Sequence, residues 1–252
     1  MTVHFVGAGP GASDLITLRG SRLLAAADVI VFAGSLINPD LLTLARPDAA
    51  LHDSSALALD DIIAILAAAE RRGARTVRLH SGDPSLYGAI HEQMRALDRL
   101  GIAYDVCPGV SSFSGAAAAL RIEYTVPERT QSVVITRLPG RTPTPAGEEA
   151  AGFARHGSTM VFFLSTGLLD ELASQLVAGG RAPDDPAAIV YKATWPDELT
   201  VRCTIATLAD SARANGVKAT ALVVVGPCLD ESSTVSRLYA DSFSTGLRKG
   251  RQ

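Results

Sequence analysis

VHFVGAGPGASDLITLRG, residues 3–20, sets the architecture. It opens as a short β-branched and aromatic strand, breaks in a turn carrying Gly7, Gly9, Pro10 and Gly11, and resumes as a leucine-bearing helix from about Thr17. A strand that ends in a glycine turn and hands over to a helix is the first half of a strand–helix–strand crossover. The unit recurs. Apolar runs DVIVFAG (28–34), TVRLHSGD (76–83) and AYDVCPG (103–109) alternate with helical stretches near 56–72 and 85–100, which Gly73 and Gly101 stop. Such alternation predicts a parallel sheet with right-handed crossovers, its strand C-termini gathered on one edge where ligands bind.

A helix over about 111–120 closes this half, and the character then changes. The runs SVVITR, TMVFFLS, AAIVYKAT, LTVRCTI and TALVVVG follow with fewer helices between them, which predicts a mixed sheet whose antiparallel part lies near the chain end. The expected fold is therefore α/β throughout: an N-terminal α/β domain over 1–122 with flanking helices, a C-terminal one over 123–230, a cleft between them, and a polar tail over 231–252. Pro139, Pro143 and Pro145 with Gly140 and Gly147 mark a loop too rich in proline to continue a strand. It is expected to overhang a site between the domains.

Composition narrows the function. Apolar residues make up 47% of the chain and charged ones 19%, enough for a packed core. No apolar run approaches the roughly 20 residues that span a bilayer. The N-terminal stretch lacks the basic start and cleavage site of a secretory signal, so the expected location is cytoplasmic, with no membrane partner. A net charge of −3 gives no general attraction to nucleic acid, and the short basic end GLRKGRQ reads as a solvated tail. Cys107, Cys203 and Cys228 stand far apart without metal-ligand spacing, so buried reduced thiols and no metal site are expected.

The first turn matches the spacing of a dinucleotide fingerprint, yet the rest of that motif fails. Pro10 sits inside the turn, the helix starts late, and the second strand ends in Phe32, Ala33 and Gly34 with no acidic residue for a ribose. Two further turns, Ser81-Gly82-Asp83-Pro84 and Pro108-Gly109-Val110-Ser111-Ser112, fall at the same predicted sheet edge, and together the turns outline a pocket. Phe113 stands two residues after Ser111, so there is no G-x-S-x-G nucleophile elbow. His80 is read as packing or hydrogen bonding rather than as a base, and His4, His52, His91 and His156 show no ligand pattern. Arg78, Arg121, Arg129, Arg137 and Arg141 lie near strand ends and the interdomain stretch, where several would suit a substrate with many carboxylates.

Taken in order, GAGPGASDLITLRG, VFAGSLI, VRLHSGDPSLYGAI, PGVSSFS, TVPE, TMVFFLST, AIVYKATWPDE and ALVVVG resemble the tetrapyrrole methylase superfamily over about residues 3–228. FAGSLI and RLHSGDPSLYG point within it to the precorrin-4 C11-methyltransferases of cobalamin biosynthesis. Phe32 stands where tyrosine is expected, and Leu164 where many relatives carry methionine. The resemblance implies a homodimer that binds S-adenosylmethionine between its domains, releases S-adenosylhomocysteine, and methylates a porphyrin-like ring. Carried over by motif, the cofactor contacts are Pro10, Ser81, Gly82, Asp83, Leu86, Ser111, Ser112, Leu164, Ala193 and Ala221. The substrate contacts are Gly9, Gly11, Ser35, Arg78, Arg121 and Arg129, and Asp83 is the expected catalytic residue. Uroporphyrinogen-III or cobalt-precorrin-4 methylation, and a non-catalytic nucleotide-binding module, remain alternatives.

Overall fold

The structure, a computed structural model, describes residues 2–230 and 240–249. The polar tail expected beyond residue 230 therefore lies partly outside the described residues. The chain divides into two compact units, Met1–Ala119 with Lys192–Leu199, and Leu120–Tyr191 with Thr200–Gln252. Among the described residues no helix is long and apolar enough to cross a membrane.

The first unit runs β1 (Val3–Gly7), α1 (Leu18–Ala26), β2 (Val29–Phe32), α2 (Pro39–Leu42), β3 (Ala50–Asp53), α3 (Leu59–Arg71), β4 (Thr76–His80), α4 (Ile90–Arg99) and β5 (Tyr104–Cys107), and α5 (Ser112–Leu120) leads out of it. The strands lie in the order β3-β2-β4-β1-β5 and every pair is parallel. Both faces are covered, as a parallel sheet requires. Val3, Phe5, Val29 and Val31 pack under α3 and α4 with Leu66 and Leu97, while Val6, Ile30, Val77 and Leu79 pack under α1 and α2 with Leu24 and Leu41. Thr17 caps α1 by accepting from Gly20 N–H at 3.1 Å. β3 has no counterpart among the predicted strands: ALHD is a largely exposed edge strand without apolar alternation. α4 starts later than residue 85 because Tyr87 and Ala89 hold the left-handed region at φ 57° and 50°.

In the second unit, β6 (Val133–Arg137), α6 (Ala150–Ala154), β7 (Thr159–Phe163), α7 (Leu169–Ala178), β8 (Pro186–Tyr191), β9 (Leu199–Thr204), α8 (Leu208–Ala214) and β10 (Ala221–Val225) build a sheet of order β6-β7-β10-β8-β9. β6 and β7 are parallel, and β10 runs antiparallel to both β7 and β8. The sheet is thus mixed, and its last strand, β10, runs antiparallel to both of its neighbours, in keeping with the antiparallel part expected near the chain end. The proline-rich loop after β6 is tied down by Arg137, whose guanidinium donates to the carbonyls of Leu138, Thr142 and Pro143 at 3.1, 3.1 and 2.7 Å.

β4 alternates between the two faces. Val77 and Leu79 point to the α1 side, so Arg78 and His80 point to the α3–α4 side beside Phe5 and Val31. Both are more than nine-tenths buried. The Arg78 guanidinium donates to Gln93 Oε1 at 3.0 Å and Val31 O at 3.2 Å, and burial lowers its pKa to about 10, so it stays charged at neutral pH. The His80 ring lies 5.9 Å from that of Phe5, and burial followed by the Arg78 charge lowers its pKa to about 3. It packs as a neutral imidazole.

At the C-terminal ends of β4, β1 and β5 the backbones touch. A Cβ on Gly7 would lie 2.6 Å from Gly109 Cα and 2.7 Å from Gly82 O, and one on Gly109 only 2.3 Å from Gly82 O. Ala8 N–H donates to His80 O at 2.7 Å, and Gly9 and Gly82 exchange hydrogen bonds of 3.3 and 2.9 Å. No residue but glycine fits this junction.

Two outcomes follow from this packing. Gly109→Ala must displace backbone and should lower unfolding free energy by about 3 kcal/mol, whereas Gly101→Ala, with nothing within 4 Å of its Cβ, should lose only the left-handed cost of about 1–2 kcal/mol; equal losses in denaturant titrations would contradict the junction. NMR titration should find the His80 ring neutral down to about pH 4. The unfolded chain takes up that proton below its ordinary pKa of about 6.5 and the folded one does not, so stability should decline as pH falls from there toward 3, and a His80 midpoint near 6.5 would overturn the burial argument.

Candidate functional site

The edge made by these strand ends collects most of the residues expected to bind a ligand. After β1, the chain turns through Gly9, Pro10 and Gly11, with Pro10 buried. Ala12 N–H donates to Thr194 Oγ1 at 2.9 Å, and Asn38 Nδ2 donates to Gly11 O at 3.0 Å. A Cβ on Gly115 of α5 would meet Pro10 Cβ at 2.9 Å and Ala193 Cβ at 3.4 Å, so Pro10, α5 and Ala193 converge within the first unit. Ala193 reaches this place because Lys192–Leu199 belongs to that unit although it lies late in the sequence.

After β4, Ser81, Gly82 and Asp83 form the second turn. Gly82 takes φ 61°, and a Cβ there would stand 3.3 Å from Ser112 N, so this turn adjoins the start of α5. Asp83 joins the second turn to the third. One carboxylate oxygen accepts from Ser85 N–H at 2.8 Å and from the Ser85 hydroxyl, and the other accepts from Gly109 N–H at 2.8 Å. Partial burial raises its pKa, but the bonds from the Ser85 hydroxyl, Gly109 N–H and Ser85 N–H outweigh it and hold the carboxyl below the usual range. The group is an anion at neutral pH. Ser111 O accepts from Ser114 and Gly115 N–H at 3.0 and 3.3 Å in the first turn of α5, and Leu86 N–H donates to Asp83 O at 3.2 Å.

Ser35 is exposed just beyond the C-terminal end of β2, next to Leu36, which is also exposed. Asp53 gathers that corner by accepting from Gly34 N–H at 2.9 Å and Ser55 N–H at 2.8 Å. Arg78 does not join the edge. Its place on the α3–α4 face puts the guanidinium on Gln93 and Val31, so the arginine expected to contact the substrate is a buried residue.

Leu164 and Ala221 lie in the second unit. Leu164, exposed and at φ 51°, follows β7, and Ala221 starts the antiparallel β10, whose carbonyl accepts from Thr166 Oγ1 at 3.2 Å. The end of β7 and the start of β10 thus share one sheet edge. Arg121 and Arg129 belong to the other end of that sheet: Tyr124 O accepts from Thr159 Oγ1 at 2.9 Å and Thr159 N–H donates to Thr130 Oγ1 at 3.1 Å, which ties the 121–130 stretch to the start of β7. Both arginines are exposed, and Arg129 pairs with Asp230 at 2.6 Å. Of the cysteines, Cys107 and Cys228 are buried and Cys203 is half-buried.

Asn38, Thr194 and Trp195 support the first turn and were not singled out by sequence. Asn-Pro is a visible helix-cap signal at Asn38, but nothing local in KATWPDE shows that it returns to a turn near residue 10.

The family profile of the tetrapyrrole (corrin/porphyrin) methylases matches residues 2–209. The chain is 46% identical over 242 residues to a precorrin-4 C(11)-methyltransferase of Mycobacterium tuberculosis, covering 95% of this chain and 96% of that protein. Its fold is similar to the X-ray structure of a cobalamin biosynthetic enzyme, cobalt precorrin-4 methyltransferase, at a TM-score of 0.89 and 41% identity over 91% of this chain and 96% of the other. A uroporphyrin-III C-methyltransferase from Thermus thermophilus, complexed with S-adenosyl homocysteine, is similar at a TM-score of 0.75 and 27% identity over 95% of each chain. With profile, sequence and fold in agreement across nearly its whole length, the chain belongs to the tetrapyrrole (corrin/porphyrin) methylases.

Proposed function

We propose that the chain transfers a methyl group from S-adenosylmethionine to carbon C11 of precorrin-4, giving precorrin-5, in cobalamin biosynthesis. The observation that carries this reading is identity of 46% across nearly the full length to a protein named for that reaction. Relatives named for the metal-free and the cobalt-bearing ring both resemble the chain, so the substrate is precorrin-4 in one of these forms. In this reading the protein works in the cytoplasm as a homodimer and engages neither nucleic acid nor membrane.

The residues on the first unit's edge fit such a cofactor. A sulfonium nucleoside brings one positive charge, ribose hydroxyls and a purine; the edge brings the ionised Asp83, the hydroxyls of Ser81, Ser111 and Ser112, and the small Gly82 and Ala193 that admit close approach. Bound there, S-adenosylmethionine would supply an electrophilic methyl to the ring carbon's electron pair, the S–CH3 electrons staying on a neutral thioether while the ring, which takes on the charge, would give up a proton to solvent.

In-line displacement of this kind asks for alignment and exclusion of water more than for acid or base strength. Asp83 contributes as an anion fixed between two turns. Its oxygens are shared with Gly109 and Ser85, so it orients the turn after β5 as well as adding charge. In this reading the Gly9–Gly11 turn and the exposed Ser35 hydroxyl meet the macrocycle. His80, neutral and buried, does not act as a base.

Incubation with methyl-labelled S-adenosylmethionine and precorrin-4 should put the label into the ring at C11. Binding without transfer would instead mark a nucleotide-binding module, and label entering only uroporphyrinogen III would move the chain to that branch of the family. Asp83→Ala should lower turnover at least tenfold, on the order of 1.4 kcal/mol; unchanged turnover with unchanged cofactor affinity removes Asp83 from the site.

A further inference from the structure

We propose that Trp195 is a positioning residue for the tetrapyrrole, acting through the Gly9–Ala12 turn on which the proposed reaction places the macrocycle. This inference rests on the functional reading above and adds to it a residue with no role in that reading. Trp195 is the only tryptophan of the chain. Its indole N–H donates to Pro10 O at 3.2 Å, and its ring edge lies against Gly11, where an added Cβ would be 2.1 Å from Trp195 Cδ1 and 2.9 Å from Ala193 O. The turn and the indole are therefore fitted to each other, and Gly11 is glycine because the indole occupies the side-chain position.

The segment that carries the indole is itself fixed. Lys192 and Thr194 adopt left-handed φ values of 44° and 68°, a cost for residues with a Cβ that surrounding contacts must offset. Those contacts are present: Thr194 N–H donates to Glu198 Oε2 at 2.6 Å, Lys192 Nζ pairs with Asp197 at 2.6 Å, and the same ammonium lies 5.1 Å from the centre of the Trp195 ring. Thr194 Oγ1 also accepts from Ala12 N–H. A strained segment held by an ion pair, a cation–π contact and a backbone-capping carboxylate, and presenting a hydroxyl and an indole to one glycine turn, serves to fix the shape of that turn. The Pro10 carbonyl is held toward the indole.

The test measures steady-state kinetics of Trp195→Phe and Trp195→Ala with S-adenosylmethionine and precorrin-4, beside thermal melts and amide hydrogen exchange of the unliganded proteins. Phe keeps most of the ring and loses the donor, so KM for precorrin-4 should rise about fivefold, as one lost hydrogen bond gives. Its kcat and melting temperature should stay within about twofold and a few degrees of the unsubstituted protein. Gly11 and Ala12 amides should exchange faster than in the unsubstituted protein. Trp195→Ala should raise KM further; if it fails to fold, Trp195→Phe carries the test. A substituted protein that loses kcat and melting temperature together while KM holds would show a merely structural role and overturn the inference, as would unchanged KM and unchanged exchange. Unsubstituted protein that methylates no precorrin-4 defeats the functional reading, and this inference with it; active unsubstituted protein with unaltered variants defeats the inference alone.

Discussion

Three glycines meeting backbone to backbone set the geometry of the candidate site. Gly7 ends β1, Gly82 and Gly109 lie two residues beyond β4 and β5, and their approach leaves less space than one methyl group. Parallel neighbours diverge through twist unless something draws their ends together, and here close main-chain contact does so. The consequence is local. Asp83 accepts from Ser85 and, at 2.8 Å, from Gly109 N–H, so its carboxylate bridges two turns and is held below the usual range, the Ser85 hydroxyl contributing most to the lowering. Behind the junction, the buried Arg78 and His80 fill the face of β4 with groups that remain in single protonation states at neutral pH.

That arrangement matches the demand of methyl transfer from a sulfonium. The leaving group is neutral, so no proton has to be delivered to it, and the rate depends on the approach of an electron-rich carbon along the breaking bond. A site built from main chain, hydroxyls and one immobilised anion has little freedom to reorganise. It suits a reaction in which placement matters more than titration. Asp83 is a structural bond between turns and the anion that we propose meets the cofactor, which is why its removal should affect both shape and chemistry.

Much of this is legible in sequence. The strand–glycine turn–helix pattern of residues 3–20, repeated at 76–83 and 103–109, identifies the parallel sheet and the edge on which the turns gather, because hydrophobic periodicity and glycine placement are local signals. The five apolar runs of the second half all appear as strands. What sequence does not show depends on long-range packing. β3 is an exposed edge strand without alternation, and only the register of β4 shows that Arg78 turns inward to Gln93. Trp195 and Thr194 stand more than 180 residues from the turn they support, and no local pattern carries that distance.

Amide hydrogen exchange of the chain with and without S-adenosylhomocysteine tests most directly that the strand-end turns hold the donor. Protection is expected at residues 81–86, 109–115 and 192–194, with the β3 edge and the 121–130 stretch unchanged. Ligand bound tightly while those turns exchange as fast as before would contradict the account.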